Sequence, residues 1–281
     1  MTMINRLLLY SFLFLSFSSF LGAQVEYTAM TYNIRMETEQ DGPDQWKFRK
    51  EALVQKVKEV HPDFLGIQEG LKQQVSYMDE NLKGYQYIGV GRDDGIEGGE
   101  FSALFYNAQK WKPIFERTFW LSQTPEKVSM GWDAVCNRVC TFGCFYNTQG
   151  DTLAVFNTHF DHIGIQARKE SIRLISDSIQ AYSDDYPALL MGDFNFTPSD
   201  SNYQMIVTKM NDSRKVAETI VEPHPGTFNG FALDEDYSRR IDYIFTNKEG
   251  VEILSYASPD WRINLRHVSD HYPVIIQFKI K

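Results

Sequence analysis

Apolar and polar residues alternate along this chain with two different periods. Alternation at every second residue predicts β-strands, and apolar residues three and four apart predict amphipathic helices. Helical spacing predicts helices at 46–60, 71–82, 166–182 and near 200–209. The other apolar segments predict strands at 27–34, 63–69, 85–90, 101–107, 112–121, 138–147, 151–159, 188–193, 240–246, 251–257 and 273–280.

The predicted strands and helices follow one another without a break in the pattern. No internal repeat, low-complexity tract or linker divides the sequence after residue 23. Two halves that each contain several strands flanked by helices fit one layered α/β sandwich, in which ligands bind where strands end. We therefore expect a single domain over 24–281.

The first 23 residues have the character of an export signal. Arg6 supplies a positive charge, and the apolar run from Leu7 to Leu21 is too short for a comfortable membrane span. The small residue Ala23 precedes the expected cleavage point. We expect a signal peptide over 1–23 and a secreted or periplasmic protein without stable membrane association after cleavage. An uncleaved membrane anchor is the alternative.

The composition is that of a globular protein and weighs against a grip on long nucleic acids. Hydrophobic residues make up 43% of the 281 residues, which is enough to bury a sizeable core. The formal net charge is −9, whereas proteins that hold a nucleic-acid backbone usually have a basic surface. A small phosphorylated substrate remains compatible with this charge.

Three cysteines, Cys136, Cys140 and Cys144, are spaced four residues apart. On a strand, four residues span roughly 13 Å, which is beyond the reach of a disulfide. We expect buried thiols. One disulfide that includes Cys136 is the alternative, if the chain bends near Asn137.

Several short apolar runs end in a carboxylate, a carboxamide or an imidazole. Oxygen-rich side chains suit hard cations such as Mg²⁺, and histidines beside carboxylates suit proton transfer. The residues therefore predict a metal-dependent hydrolase of phosphate esters. The run ends are Asn33, Gln68-Glu69, Asn157-Thr158-His159, Gly192-Asp193-Phe194-Asn195, Ile241-Asp242-Tyr243 and Ser269-Asp270-His271.

These motifs, in this order, resemble the endonuclease/exonuclease/phosphatase superfamily, which includes the deoxyribonuclease I-like hydrolases. The resemblance covers about 27–280, essentially the whole chain after the signal segment. It implies a four-layer α/β/β/α sandwich, with two packed mixed β-sheets flanked by helices. It also implies cleavage of a P–O bond that depends on a divalent metal.

The resemblance assigns metal-binding and catalytic roles. Glu69, Asn33 and Asp270 correspond to the metal side of the site, and we expect Mg²⁺ there, with Mn²⁺ or Ca²⁺ as alternatives. The catalytic set positions a nucleophilic water and the phosphoryl group and contains a His–Asp couple with a second histidine. Its expected members are Asp193, Asn195, the pair His271 and Asp242, and His159.

The resemblance also indicates residues that select the substrate. Glu100 resembles the carboxylate partner of His159 in the deoxyribonuclease branch, and Arg138 resembles an arginine that contacts phosphate. Asn229 lies in an aromatic loop near Asp242 and is expected to contact substrate. Four aromatic side chains can either stack on a sugar or base or pack in the core. These are Phe228, Phe231, Trp120 and Trp132.

Three classes of function are compatible with these residues. The expected one is an exported Mg²⁺-dependent phosphodiesterase, phosphatase or nuclease that acts as a monomer. Its substrate would be a small molecule, a glycan, a lipid head group or a nucleic-acid fragment. The first alternative is a secreted glycoside hydrolase with paired carboxylates. The second is a non-catalytic binding module on the same scaffold.

Overall fold

A computed structural model describes residues 25–183, 186–233 and 239–281 of the chain. The expected signal peptide over 1–23 lies outside the described residues. No helix in the described part of the chain is long and apolar enough to cross a membrane.

Five α-helices and fifteen β-strands form in the described segments. The helices are α1 (Trp46–Val60), α2 (Lys72–Asn81), α3 (Ile165–Ser183), α4 (Ser201–Val207) and α5 (Ser213–Val216), with a 3₁₀ helix at Glu39–Asp44. The strands are β1 (Tyr27–Asn33), β2 (Phe64–Gln68), β3 (Tyr85–Ile88), β4 (Leu104–Asn107), β5 (Trp111–Trp120), β6 (Val139–Asn147), β7 (Thr152–His159), β8 (Ala188–Asp193), β9 (Met210–Asp212), β10 (Thr219–Pro223), β11 (Asp242–Asn247), β12 (Val251–Ser258), β13 (Arg262–Ile263), β14 (Arg266–His267) and β15 (Val274–Ile280).

Most of the strands belong to two mixed sheets. The first sheet has the order β10-β12-β15-β1-β2-β4-β3, and the second has the order β5-β6-β7-β8-β11-β9. Strands β13 and β14 form a separate short hairpin. Strand pairs β1–β2 and β7–β8 are parallel, and their neighbours β15 and β11 run antiparallel to them.

Three apolar clusters hold four layers together. One lies between the sheets, one joins α1 and α2 to the first sheet, and one joins α3 and α4 to the second. Strand β7 shows how the period of two serves both faces: Val155 packs between the sheets, whereas Phe156 packs toward α3. Because both faces are covered, the central strands are almost continuously apolar. The expected α/β/β/α sandwich is confirmed.

A buried amide pair joins the two sheets below one edge. Asn157 Nδ2, on β7, donates to the carbonyl oxygens of Ile67 and Ala103, each at 2.9 Å. Gln68 Nε2, on β2, donates to Asn157 Oδ1 at 2.7 Å. A Cβ atom at Gly66 would lie 2.5 Å from Asn157 Oδ1, so glycine is required for this approach of the sheets.

The sheet directions bring the polar strand ends to one edge. Parallel pairing sets Asn33 beside Gln68 in the first sheet and His159 beside Asp193 in the second. Antiparallel pairing then sets Asp242, at the start of β11, opposite Asp193. The segment before β15 reaches the same edge because β15 runs antiparallel to β1. Strand order therefore creates one site from both sheets.

The differences from the predicted elements are small and fall in short segments. The strand expected at 101–107 begins at Leu104, because Phe101 forms only an isolated bridge with Gly70. The helix expected near 200–209 ends at Val207. The pattern predicted five strands of four to six residues, but segments this short rarely show a clear period, and six other elements of two to six residues were not predicted. These are the 3₁₀ helix, β9, α5, β10, β13 and β14.

All three cysteines lie in the described part of the chain and are free thiols. Cys140 and Cys144 are buried on β6, and burial raises the pKa of both thiols. Cys136 is partly buried before that strand. The expectation of thiols rather than a disulfide agrees with the structure.

Candidate active site

A cleft of about 580 Å³ opens at the joint edge of the sheets. Ten of the eleven residues assigned to the site from sequence line it or lie directly behind its wall. The lining residues include Glu69, Glu100, Arg138, His159, Asp193, Asn195, Asp270 and His271, together with Arg35, Arg92, Cys136, His162, Phe228, Phe231 and Arg239. Asn33 and Asp242 lie behind them and bond to Glu69, Asp193 and His271.

The ring of His271 is held by Asp242. Nδ1 of His271 donates to Asp242 Oδ2 at 2.8 Å, and Nε2 lies 3.8 Å from Asp193 Oδ2. Burial disfavours a charged ring, but the carboxylate of Asp242 outweighs it and raises the pKa of His271 to about 10. Thr227 Oγ1 fixes the couple by accepting from the backbone N–H of Asp242 at 3.0 Å. His271 is thus protonated at neutral pH and presents Nε2–H toward the cleft.

Asp193 lies at the centre of the cleft wall. Its Oδ2 accepts from Asn33 Nδ2 at 3.1 Å, and its Oδ1 accepts from the backbone N–H of Asn195 at 2.9 Å. Burial, followed by the charge of Asp242, raises the pKa of Asp193 to about 7. A carboxylate with that pKa is suited to accept and return a proton near neutral pH.

Asn195 lies in a left-handed turn just after β8. Its φ is 52°, because β8 ends at Asp193 and the chain turns there. The turn directs Asn195 Nδ2 toward the carbonyl oxygen of Phe160 at 2.9 Å and toward His159 Nε2 at 3.0 Å. Asn195 therefore reaches the cleft from a left-handed turn, and not from the same strand face as Asp193.

His159 is a neutral ring. Its Nε2 faces the Nδ2 donor of Asn195, so the ring proton belongs on Nδ1. Nδ1 lies 3.8 Å from Glu100 Oε2 and has no hydrogen-bond partner among the described residues. Burial, followed by the charge of Arg138, holds the pKa of His159 well below its ordinary value. Glu100 is therefore a neighbour of His159, as expected, but no hydrogen bond joins the two side chains.

The carboxylates on the metal side share a single cation in this structure. The guanidinium of Arg35 donates to both carboxylate oxygens of Asp41, at 2.9 and 3.1 Å, and lies 3.7 Å from Glu69 Oε2 and 3.8 Å from Asp270 Oδ2. Burial opposes ionisation of Glu69, but the charge of His271 and a hydrogen bond from Asn33 hold its pKa below the usual value. Burial, with repulsion from Glu69, raises the pKa of Asp270 to about 6. Because Arg35 is hydrogen-bonded to Asp41, Glu69 and Asp270 are left without a hydrogen-bonded cation, and the two carboxylates form a place suited to a divalent cation.

Asn33 contributes to this side through its nitrogen. Nδ2 donates to Glu69 Oε1 at 2.9 Å, while Oδ1 accepts from the backbone N–H of Arg35 at 3.0 Å. Asn33 therefore orients Glu69 and Asp193 in this structure. We expected its oxygen to face the metal, but that oxygen accepts from the Arg35 backbone. Potential ligand atoms of Glu69, His159 and Asp193 lie within 4.8 Å of one another. Glu69 and Asp193 offer carboxylate oxygens and His159 offers a ring nitrogen, and the carboxylate oxygens suit a Mg²⁺-like cation.

Arg138 forms the far wall of the cleft. Its Nε lies 3.5 Å from Asp161 Oδ2, and its Nη2 lies 3.0 Å from His162 Nδ1. Its Nη1 is buried without a hydrogen-bond partner among the described residues. The side chain is only 5% exposed, so this unpaired donor is costly unless a ligand satisfies it. A phosphoryl oxygen is an acceptor of the right kind.

Asn229 does not line the cleft, in contrast to the expectation of substrate contact. It is fully buried, its Nδ2 donates to the Ser269 carbonyl at 3.1 Å, and its Oδ1 accepts from the Phe231 backbone at 2.8 Å. Both ends of the amide are thus used to connect the loop to the segment that carries Asp270 and His271. Phe228 and Phe231 line the cleft, whereas Trp120 and Trp132 do not.

Three arginines of the cleft were not assigned a role from sequence. Arg35 lies between Glu69 and Asp270, Arg92 pairs with Glu100, and Arg239 stacks over Phe228 with 5.1 Å from Cζ to the ring centroid. Arg35 follows Asn33 by two residues, so the strand-end motif offered a signal for it. Arg92 and Arg239 lie in loops, where sequence spacing gives no side-chain direction.

The four layers, and an acidic cleft at the edge where both sheets end, place the protein among the phosphate-ester hydrolases built on the deoxyribonuclease I-like fold. The model of the Endonuclease/Exonuclease/phosphatase family matches residues 30–271. The chain belongs to this family, whose members hydrolyse phosphate esters and generally depend on a divalent metal.

Individual relatives agree with this assignment. The chain is 34% identical to a family protein of Bacteroides thetaiotaomicron, with a TM-score of 0.87 and coverage of 92% of this chain and 99% of that one. It is 34% identical to the mannosyl-6-phosphatase of Bacteroides thetaiotaomicron VPI-5482, with a TM-score of 0.85 and coverage of 90% and 99%. An uncharacterised protein of Acanthamoeba polyphaga mimivirus is 29% identical over 258 residues, covering 83% of this chain and 92% of the relative.

We predict that Asp242→Asn leaves the fold intact and lowers kcat by about 10³-fold, because a carboxamide cannot stabilise the charged ring of His271. His271→Ala is expected to lose about as much as the double variant, since the two residues act as one unit. Steady-state kinetics of the two single variants and the double variant measure this. Losses that multiply in the double variant would show that the two residues act independently.

Proposed function

We propose that this protein is an exported, Mg²⁺-dependent phosphomonoesterase that acts on a small phosphorylated molecule. The observation that carries the proposal is the unpaired Nη1 of Arg138, in a cleft that also holds the charged ring of His271. Both groups donate to oxygens, and both favour an anionic ligand with several acceptor atoms. A terminal phosphoryl group has this chemistry.

Glu69 and Asp270 would hold the cation, and Asn33 would orient Glu69 from behind. A bound Mg²⁺ would supply Lewis-acid stabilisation of charge on a phosphoryl oxygen. Asp193, with a pKa near 7, accepts a proton from the attacking water at Oδ2 as the water oxygen bonds to phosphorus. The P–O bond to the alcohol breaks, and the departing alkoxide takes a proton from solvent. His271 Nε2–H and the unpaired Nη1 of Arg138 donate to the phosphoryl oxygens as charge accumulates on them.

A monoester is favoured over a diester by charge. A monoester phosphate is close to a dianion at neutral pH, whereas a diester has one negative charge, so two fixed cations stabilise the monoester more. The net charge of −9 also disfavours long polyanions. One relative bears the name mannosyl-6-phosphatase, which makes phosphorylated sugars the first substrate class to test.

The alternatives considered from sequence have less support. A glycoside hydrolase needs two carboxylates that face a glycosidic bond, and it has no use for an imidazolium held by Asp242. A binding module would not need Asp193 with a pKa near 7 beside a charged His271. Family membership also favours phosphate-ester hydrolysis over both.

The purified protein is expected to release phosphate from p-nitrophenyl phosphate and mannose 6-phosphate with kcat/KM at least about tenfold above that for bis-p-nitrophenyl phosphate. EDTA should abolish turnover, and added Mg²⁺ should restore it. The matched control is the His271→Ala variant, which detects a contaminating phosphatase. A preference for the diester, or full activity in EDTA, would refute the proposed function.

Export and a monomeric state are part of the same proposal. The apolar run from Leu7 to Leu21 supports cleavage after Ala23, which would leave a mature chain from Gln24. N-terminal sequencing of protein from a native host is expected to begin at Gln24, and light scattering is expected to give a monomer mass. Retention of Met1 would contradict export by signal cleavage.

A further inference from the structure

One ion pair in the cleft wall has no part in the chemistry described above. Arg92 Nη1 lies 2.6 Å from Glu100 Oε2, and each side chain is 14% exposed. The backbone joins them as well, since the Arg92 N–H donates to the Glu100 carbonyl at 3.1 Å. Trp120 Nε1 donates to the Arg92 carbonyl at 2.7 Å and anchors the loop to β5.

The loop that carries this pair is tightly built. A Cβ atom at Gly91 would lie 2.4 Å from the Gly98 carbonyl oxygen. A Cβ atom at Gly99, which has φ of 78°, would lie 2.2 Å from Asp93 Oδ2. The two glycines flank the arginine and the carboxylate directly, so the loop holds both side chains at the cleft with little freedom.

Glu100 is engaged by Arg92 and not by His159. The same oxygen, Oε2, is 2.6 Å from Arg92 Nη1 but 3.8 Å from His159 Nδ1, which is too long for a hydrogen bond. Glu100 therefore does not set the tautomer of His159 in this structure. Its carboxylate must serve another purpose or be an unfavourable feature of a cleft that receives phosphate.

A carboxylate repels a phosphate dianion, but a carboxylate neutralised by a guanidinium does not. The pair still offers hydrogen bonds to a neutral group. The carboxylate has lone pairs beyond the one used by Arg92, and Arg92 Nε, which lies 4.0 Å from Asp93 Oδ1, is buried without a hydrogen-bond partner among the described residues. An acceptor beside a donor matches neighbouring hydroxyl groups, because each hydroxyl can donate to one and accept from the other.

We propose that Arg92 and Glu100 recognise neighbouring hydroxyl groups on the leaving group and make this site selective for phosphate esters of polyols such as sugars. This inference rests on the proposed phosphomonoesterase function. It assigns Glu100 to specificity and not to proton transfer through His159. It also predicts that substrates with a second anionic group near Arg92 and Glu100 are hydrolysed less efficiently, because that group would compete with Glu100 for the guanidinium of Arg92.

The test compares two primary alkyl phosphates that differ in hydroxyl groups. Phosphate release from mannose 6-phosphate and from hexyl phosphate is measured for the wild type and Glu100→Gln. The ratio of the two kcat/KM values is expected to fall by about tenfold in the variant, because a hydrogen-bonded hydroxyl loses its charged acceptor. The matched control is Glu97→Gln on the same loop, where Glu97 pairs with Lys72 and does not line the cleft. The control should keep the wild-type ratio.

A second variant separates recognition from loop damage. Arg92→Met leaves the carboxylate without its cation and should lower kcat/KM for both substrates. The double variant Arg92→Met with Glu100→Gln removes the repulsive charge and should regain about threefold on hexyl phosphate over Arg92→Met alone, without regaining the ratio. Absence of this recovery would refute the neutralising role of Arg92.

Other outcomes are equally decisive. If Glu100→Gln lowers kcat/KM equally for both substrates, Glu100 acts through His159 or through loop structure. That result would overturn this inference but leave the proposed function standing. A wild-type enzyme that hydrolyses diesters and neither monoester would overturn the proposed function, and with it the inference.

Discussion

The site depends on the buried contact between Gln68 and Asn157, which ties the two sheets together. Gln68 Nε2 donates to Asn157 Oδ1 at 2.7 Å, and both residues are fully buried. Buried amides are costly unless paired, so this contact specifies one relative position of the sheets. Asn33 and Glu69 come from the first sheet, and His159 and Asp193 come from the second. Only that one alignment places the carboxylates beside the imidazoles.

The carboxylates of the cleft differ in how closely a cation approaches each of them. Asp242 is paired with His271, Glu100 with Arg92, and Asp161 with Arg138. Glu69 and Asp270 share Arg35. Asp193 accepts hydrogen bonds from amides alone at short range, while both imidazole Nε2 atoms stay 3.5–3.8 Å away. Burial, followed by the charge of Asp242, raises the pKa of Asp193 to about 7, which suits the proton-accepting role proposed for it.

The long elements and the layer order could be predicted because their periodicity reflects burial on defined faces. The strand-end motifs likewise predicted a shared site for Glu69, Asp193 and His271. Each motif follows or precedes a strand, and polar groups at the ends of paired strands meet at one edge of a sheet. Side-chain partners could not be predicted. Glu100 pairs with Arg92, and the side-chain amide of Asn229 bonds to the backbone of Ser269 and Phe231. These contacts depend on loop conformation, which has no periodic pattern in the sequence. The left-handed backbone conformation of Asn195 could not be predicted for the same reason.

The central claim is that one edge of two joined sheets positions a cation and a phosphoryl group together. A crystal structure grown with Mn²⁺ and inorganic phosphate tests it directly. We expect an anomalous peak bonded to the Glu69 carboxylate, Arg35 displaced from between Glu69 and Asp270, and phosphate oxygens bonded to His271 Nε2 and Arg138 Nη1. The peak should be lost in Glu69→Gln crystals. Manganese bound away from Glu69, or phosphate away from His271, would contradict the account.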